Sequence, residues 1–543
     1  MERIRMQTAS RLIVLALLLL AVLASSPGTS GGDPVEPRLS DAEIGHLRHV
    51  VALARQDLDD WRGWDAENQF DMEAYRYQIA FIGYALALQQ YHSVPAWREV
   101  HRDILARLIR RMIQKPVWDY WEIVSRGKQE HDPDFDGPQV GWRDPLREKN
   151  VMYSAHLAHL AALYEMLYRD FRWDEAGAFT LRWDASESYA YDLPAVVRRL
   201  HDQMATNPWG GIECEINAVF PECNQHAILA MKLYDDTHGT RYFDVRHRFR
   251  ELFDHAPMID SETHEVVAFY RVKQGDVLSN RHTRVGFPRD LLVWPMIKIG
   301  LMSFDSPAAC GWTGAFMHAW EPQLVEHHYP FQKTHHVRPT AAVGQLAPGG
   351  DLAEELSVGL FAALAVEVGD VETASGLLAW ADEEYDPVLE DGRLRYPRRR
   401  EGKHRTHNLT GKLIGMARAN RPNGLWRLHN EPWRDADFAH PFLEAVEFPQ
   451  VLVRQAFWDP AAARLVVTLE PGAEPVDTTF RIVRIDATQT WELHRDGTLM
   501  AHVAGSRVTG SPDVRIVAPG TLEIATSLAA PQRFGLRRVP PRP

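Results

Sequence analysis

The densest chemistry in this chain lies between Asn207 and Asn224, in the run NPWGGIECEINAVFPECN. Cys214 and Cys223 stand nine residues apart there, flanked by Glu213, Glu215 and Glu222. That spacing is long for a metal knuckle. Several readings fit the pair: a local disulfide, two thiols buried as small apolar side chains, chance proximity, or a reactive pair that gives and takes protons. A second point is His156, in EKNVMYSAHLAHL. On a helix it shares a face with Met152, Leu160 and Leu163. A histidine there is either a satisfied core residue or, close to a thiol in an apolar pocket, a general acid or base working near neutral pH. A third cluster holds His327, His328, His335 and His336. The segment shows no regular helical frame, and neighbouring histidines on a strand point to opposite faces, so no metal site is expected from it. Cys310, in AACGW, reads as a packing residue. No GxGxxG, P-loop, HExxH, CxxC or GxSxG run stands out, so the commonest cofactor and hydrolase signatures are missing.

The elements that must hold these residues follow from the hydrophobic period. From Asp41 to about Asn420 the pattern is helical. Ser40 and Glu43 form a capping-box pair at its start. Further helices are predicted at 72–91, 96–114, 150–168, 193–205, 224–237, 289–302, 353–368, 371–382 and near 407–418. In the 72–91 helix, Tyr77, Phe81, Tyr84 and Leu88 fall on one face. From about Phe448 short β-branched runs take over, with Asp496-Gly497 as a hairpin signal. The division expected is a helical domain over 41–430 and a β-sandwich-like domain over 448–540. Helices without alternating strands point to an all-α layer, and the length favours a toroid of paired helices over a four-helix bundle. Residues 1–28 read as a secretory signal, with Arg3, Arg5 and Arg11 before the apolar run Leu12 to Ala24, and 29–40 as a linker. The expected destination is outside the cytosol, with no stable membrane span after cleavage. A net charge of −13 argues against sequence-independent nucleic-acid binding. The locally basic stretch from Arg393 to Arg405 reads as a solvated loop.

At this point the stretches MEAYRYQIAF, EKNVMYSAHL and ATNPWGGIECEINAVFPECNQHAILAMKLYDDTHGTRY resemble the linalool dehydratase/isomerase family. The resemblance runs from about Asp41 to about Pro422 and is dense at 71–91, 144–168 and 205–243. It implies an (α/α)6 barrel, elimination of water from and isomerisation of allylic terpene alcohols without cofactor or metal, export, and ring-shaped homo-oligomers. It also implies roles. His156, Cys214 and Cys223 match the catalytic histidine and cysteines, and Asp71 and Tyr77 match an active-site pair. Met152, Phe220, Glu215 and Asn224 match substrate-binding residues of the pocket, the last two each following a cysteine as in the family. Departures are equally specific. Two family tyrosines lack counterparts, near Ala96 to Glu99 and around Phe287, and Glu222 puts a charge where a neutral polar side chain is typical. Asp57, Asp59 and Asp60 are rival carboxylates to Asp71.

The chemistry also follows from the residues. Losing water from an allylic alcohol requires a proton for the leaving hydroxyl, a site that tolerates an allylic cation, and a base for a neighbouring C–H. Thiols and an imidazole suit the proton steps, and an apolar, water-poor pocket prevents recapture of the cation. The substrate expected is a small apolar alcohol. Two other readings compete. Helical toroids followed by β-sandwiches suit a secreted polysaccharide lyase or glycoside hydrolase, for which Asp71 and Glu73 are available carboxylates. A disulfide between Cys214 and Cys223 would instead suit a non-catalytic exported binding protein.

Overall fold

Ser40 opens the first helix as the capping pattern predicts. Its Oγ accepts the Glu43 N–H at 3.2 Å, while Glu43 Oε2 accepts the Ser40 N–H at 2.9 Å. The computed structural model describes residues 36–66, 68–70, 72–278, 307–339, 346–348, 356–399 and 404–539. The expected export signal, the helix predicted over 289–302, the neighbourhood of Phe287 and Asp71 all lie outside the described residues.

The first helices are α1 (Asp41–Ala54), α2 (Tyr75–His92), α3 (Glu99–Met112), α4 (Val151–Tyr168), α5 (Leu193–Thr206) and α6 (Pro221–His238). They continue as α7 (Arg246–His255), α8 (Pro307–Met317), α9 (Pro322–His336), α10 (Ser357–Glu367), α11 (Val371–Tyr385), α12 (Asn408–Ala419) and α13 (Gly424–Asn430). Two kinds of helix alternate. Helices α4, α8 and α10 are buried on nearly every face, while α5 and α7 bury a single stripe. The first kind forms a closed cycle of neighbours: α2 packs on α4, α4 on α6, α6 on α8, α8 on α10, α10 on α12, and α12 back on α2. Helix α3 packs against α2 and α4, and α5 against α4 and α6. Gly311 allows one of these approaches, because a Cβ there would sit 2.6 Å from the backbone of Leu360 and Phe361.

Among the helices named above, four were not predicted. Helix α8 is apolar all round and so has no period to read, and α9 contains Pro330, which reads as a breaker. Helices α7 and α13 are short. The segment with the paired histidines is thus helical, which corrects the expectation that it lacks a helical frame. The helical part also carries small antiparallel pairings that its period did not reveal: 179–182 with 188–191, 218–219 with 269–271 and then 276–278, 337–339 with 346–348, and 388–390 with 393–395. The last one turns at Asp391-Gly392, so the basic stretch begins in a strand. Two of its arginines are ion-paired, Arg393 with Asp391 at 2.8 Å and Arg398 with Glu73 at 2.7 Å.

Past α13 the chain is β: β1 (Phe442–Glu444), β2 (Val451–Asp459), β3 (Arg464–Pro471), β4 (Val476–Val483), β5 (Thr490–Arg495), β6 (Thr498–Ala504), β7 (Arg507–Gly510), β8 (Val514–Ala518), β9 (Thr521–Leu528) and β10 (Gln532–Val539). They form a four-stranded sheet, β1-β4-β9-β8, and a six-stranded sheet, β2-β3-β10-β5-β6-β7. Every pairing is antiparallel, and Asp496-Gly497 makes the predicted turn, with Arg495 opposite Thr498. Phe480 of one sheet packs on Phe534 of the other at 4.9 Å. Backbone hydrogen bonds Leu39 N–H to Arg454 O, Ala96 N–H to Ala456 O and Leu443 N–H to Ala96 O join the strands to the helices, and the described residues from Arg38 onward make one compact unit.

Candidate functional site

The Asn207–Phe220 loop is folded back on the first turn of α6. Gly210 makes the entry possible, with φ +72° and the Arg248 carbonyl oxygen 2.2 Å from where a Cβ would be. Asn224 then clamps the loop from within α6. Its Oδ1 accepts the Ile212 N–H at 2.8 Å, and its Nδ2 donates to the carbonyls of Ile212 at 3.0 Å and Phe220 at 2.9 Å. A tight turn follows, with Cys214 N–H on Ala218 O at 2.8 Å and Asn217 in a left-handed conformation at φ 69°. Glu213 accepts the Asn217 N–H at 2.7 Å and holds Lys149 at 3.1 Å, and Glu215 holds Lys128 at 2.8 Å. The flanking acids are thus anchors of the loop. The outcome is that Cys214 on the loop meets Cys223 on α6, sulfur to sulfur at 3.1 Å, both as free thiols.

Burial decides their protonation. Cys223 sits in the first turn of a helix, where the dipole favours a thiolate. Desolvation outweighs this and pushes its pKa well above the ordinary thiol range, with Cys214 also raised for the same reason. The hydrogen bond with Cys223 opposes this on Cys214, and the cationic Arg76 opposes it on both. Arg76 is itself buried. It donates to Gln69 O at 2.6 Å and to Met152 Sδ at 3.4 Å, and its guanidinium lies over the rings of Tyr120 at 4.0 Å and Tyr77 at 4.5 Å. Tyr77 links the two halves of the cluster. Its hydroxyl donates to Met152 Sδ at 3.4 Å, its ring meets His156 edge-on at 5.6 Å, and its own pKa is raised well above normal by burial.

His156 lies in the second turn of α4 and is fully buried. Its Nδ1 is 2.6 Å from the Tyr84 hydroxyl, and its Nε2 has no protein partner. Burial, with help from the Arg76 charge, drops its pKa to about 3, so the ring is neutral. Tyr84 O–H donating to Nδ1 uses the one phenol proton and puts the imidazole hydrogen on Nε2. The other tautomer would leave a buried O–H without an acceptor.

Behind His156 runs a second buried array. Trp312 Nε1–H donates to His226 Nε2 at 2.7 Å, His226 Nδ1 faces His159 Nδ1 at 3.1 Å, and His159 Nε2 faces His429 Nε2 at 2.8 Å. His429 Nδ1 reaches Leu425 O at 2.7 Å. The indole at one end can only donate and the carbonyl at the other can only accept, so every tautomer is fixed: His226 carries its proton on Nδ1, His159 on Nε2 and His429 on Nδ1. The His226 ring packs 4.2 Å from that of His156 and stacks on Tyr84 at 5.0 Å.

The structure therefore brings Cys214, Cys223, Tyr77, Met152 and His156 into one buried cluster. Phe220 caps α6 and packs against His131 and Phe269. Asp71 lies outside the described residues. Of its rivals, Asp57 and Asp59 are exposed and Asp60 pairs with Arg62 at 2.9 Å. Glu73 is engaged by Arg398 and His407, each at 2.7 Å. Sequence reasoning missed Arg76, Tyr84 and Tyr120, and the array of Trp312, His226, His159 and His429. A signal for the array existed: His159 follows His156 by three residues and His226 follows Cys223 by three, which places each pair on one helical face. Among the described residues, three groups come close enough to share a metal ion, and none contains Cys214, Cys223 or His156.

Residues 76–288 and 290–401 match the family model for linalool dehydratase/isomerase, a span that takes in α2 through α11 and every described residue of the cluster. That match covers well over half of the 543 residues, and the chain belongs to the linalool dehydratase/isomerase family.

Proposed function

We propose that the protein eliminates water from, and isomerises, a small allylic alcohol of the terpenoid or alkenol class, using Cys214, Cys223 and His156. The observation that carries this is the 3.1 Å contact of two neutral buried thiols, together with a neutral imidazole that meets Tyr77 edge-on and whose Nε2 has no protein partner. In this reading, the Nε2–H of His156 donates a hydrogen bond to the leaving hydroxyl and one thiol protonates it. Water departs, leaving an allylic cation and a thiolate steadied by Arg76. A proton crosses the 3.1 Å sulfur–sulfur contact, so that the other cysteine becomes the thiolate. That thiolate accepts a proton from a carbon next to the cation, giving the diene and restoring both thiols, so protons balance over the cycle. Met152 and Phe220 line the apolar wall, Glu215 and Asn224 hold the cysteine loop, and Asp71 with Tyr77 orients or relays.

We also propose that the cycle of α2, α4, α6, α8, α10 and α12 is the inner ring of an (α/α)6 barrel over 41–430. The two sheets would form a β-sandwich domain over 448–540, on a protein that is exported and homo-oligomeric. The test is turnover of a panel of allylic alcohols, with dienes read by gas chromatography. Cys214→Ala, Cys223→Ala and His156→Ala should each lose about 10²–10⁴-fold in kcat, the range for acid–base groups. Unchanged turnover in all three variants overturns the assignment.

A further inference from the structure

Helix α9 and the turn before β-strand 269–271 form a second cluster, independent of the thiols. We propose that His264, His327 and His328 bind a divalent transition ion of the zinc type. One ring nitrogen from each of the three lies within 4.8 Å of the others. His264 Nδ1 and His328 Nδ1 are 2.9 Å apart, and their rings meet at 5.2 Å. Two imidazole nitrogens this close share either one hydrogen or one cation.

The first ligand is held in place without the ion. His264 adopts φ 60°, a conformation unusual for a non-glycine residue, in a turn closed by its N–H on Asp260 O at 2.8 Å. Its carbonyl accepts from Gln332 Nε2 at 2.7 Å, and Phe331 stacks flat on its ring at 3.8 Å. Both partners are on α9, so they tie the turn to the helix that supplies His327 and His328. On that helix adjacent side chains diverge by ~100° rather than ~180°, which lets two neighbours serve one ion.

The donor set decides the ion. Three imidazoles and no thiolate suit zinc, cobalt, nickel or copper(II) rather than calcium or magnesium, which take oxygen ligands. Zn–N bonds of ~2.0–2.1 Å set tetrahedral N···N separations of ~3.3 Å, so the 2.9 Å contact must open by only ~0.4 Å. Three protein ligands leave a position for water or another ligand, and exposed His327 gives the ion a way in. A neighbouring group, Glu265, Cys310 and His336, is wholly buried and includes a sulfur, which lets a spectrum tell the two apart.

The test uses the full chain stripped by a chelator and titrated with ZnCl2 by calorimetry, with bound metal counted by mass spectrometry. One equivalent should bind, at least tenfold more weakly in His264→Ala, His327→Ala and His328→Ala. His327 is exposed, so His327→Ala keeps the fold and can be matched to the parent by circular dichroism before zinc is added. Cobalt substituted for zinc should give ligand-field bands without thiolate-to-metal charge transfer. Equal zinc affinity in the parent and in His327→Ala, no binding at all, or a thiolate charge-transfer band each overturns the proposal.

Discussion

Replacing Tyr84 by Phe removes one oxygen and tests how His156 works. In the parent, the Tyr84 O–H donates to His156 Nδ1 over 2.6 Å and so fixes the hydrogen on Nε2, the nitrogen without a protein partner. In Tyr84→Phe neither tautomer has a partner at Nδ1, and the form with a bare Nε2 lone pair directed at the substrate oxygen becomes populated. A buried hydrogen bond of this kind is worth ~1–3 kcal/mol. If that bias is felt in the transition state, kcat falls by about 5- to 150-fold. KM should change little, because the alcohol is held mainly by apolar contact. The assay is steady-state diene formation by gas chromatography. It is paired with nitrogen NMR of labelled protein, which distinguishes a protonated from a bare ring nitrogen at His156. A merely structural Tyr84 would lower Tm and leave both the His156 nitrogen shifts and kcat where they were, and that combination would refute the reasoning.

Further outcomes follow from the same contacts. Gly210→Ala should cut activity at least tenfold and lower Tm, because its Cβ meets the Arg248 carbonyl and the loop carrying Cys214 must shift; an unchanged thiol reactivity at Cys214 and unchanged kcat would count against it. Burial raises the Glu222 pKa to about 8, so the folded protein keeps a proton that the unfolded chain releases near pH 4.5. Its contribution to stability is complete below about pH 4.5 and is lost as pH rises towards 8, and Glu222→Gln should flatten that slope in chemical denaturation by an amount on the order of a few kcal/mol. His156, His159, His226 and His429 titrate the other way. Their depressed pKa values mean that stability present above pH 6.5 is lost as pH falls below it, through about 4 for His429 and about 3 for His156. His159→Leu, which strands His226 Nδ1–H and His429 Nε2, should cost ~2–5 kcal/mol and weaken this acid sensitivity, read by the pH dependence of Tm.

The parts legible in the sequence were those that local rules determine. Ser40 and Glu43 announced α1, the period of 72–91 announced α2 to within a few residues, and Asp496-Gly497 announced a hairpin. The identical signal Asp391-Gly392 passed unread because basic residues around it suggested a solvated loop. Helix α8 escaped because a helix buried on all sides has no polar face to set a period, and α9 because Pro330 sits inside it. At the cluster, Cys214, Cys223 and His156 were visible as residue types. Arg76 was not, since an arginine beside an apolar stripe reads as a surface residue. Here it is 1% exposed, held by a carbonyl, a thioether and two aromatic rings. The histidine array needed α4 to be known to face α6 before the matched three-residue spacings meant anything.

Burial accounts for two features of the cysteine pair that pull against each other. Thiols 3.1 Å apart are placed for proton exchange and also for oxidation, which requires a thiolate to attack and an oxidant to reach it. Desolvation raises both pKa values, so at rest almost no thiolate exists, and exposures of 3% for Cys214 and 2% for Cys223 keep oxidants away. In the mechanism we propose, a thiolate forms only when substrate has taken a proton, and at that moment Arg76 is close enough to stabilise it. Arg76→Met should therefore leave the resting thiols as slow to oxidise as before while lowering kcat. If instead it left kcat intact and changed only the rate of oxidation, Arg76 would be guarding the thiols rather than serving their chemistry.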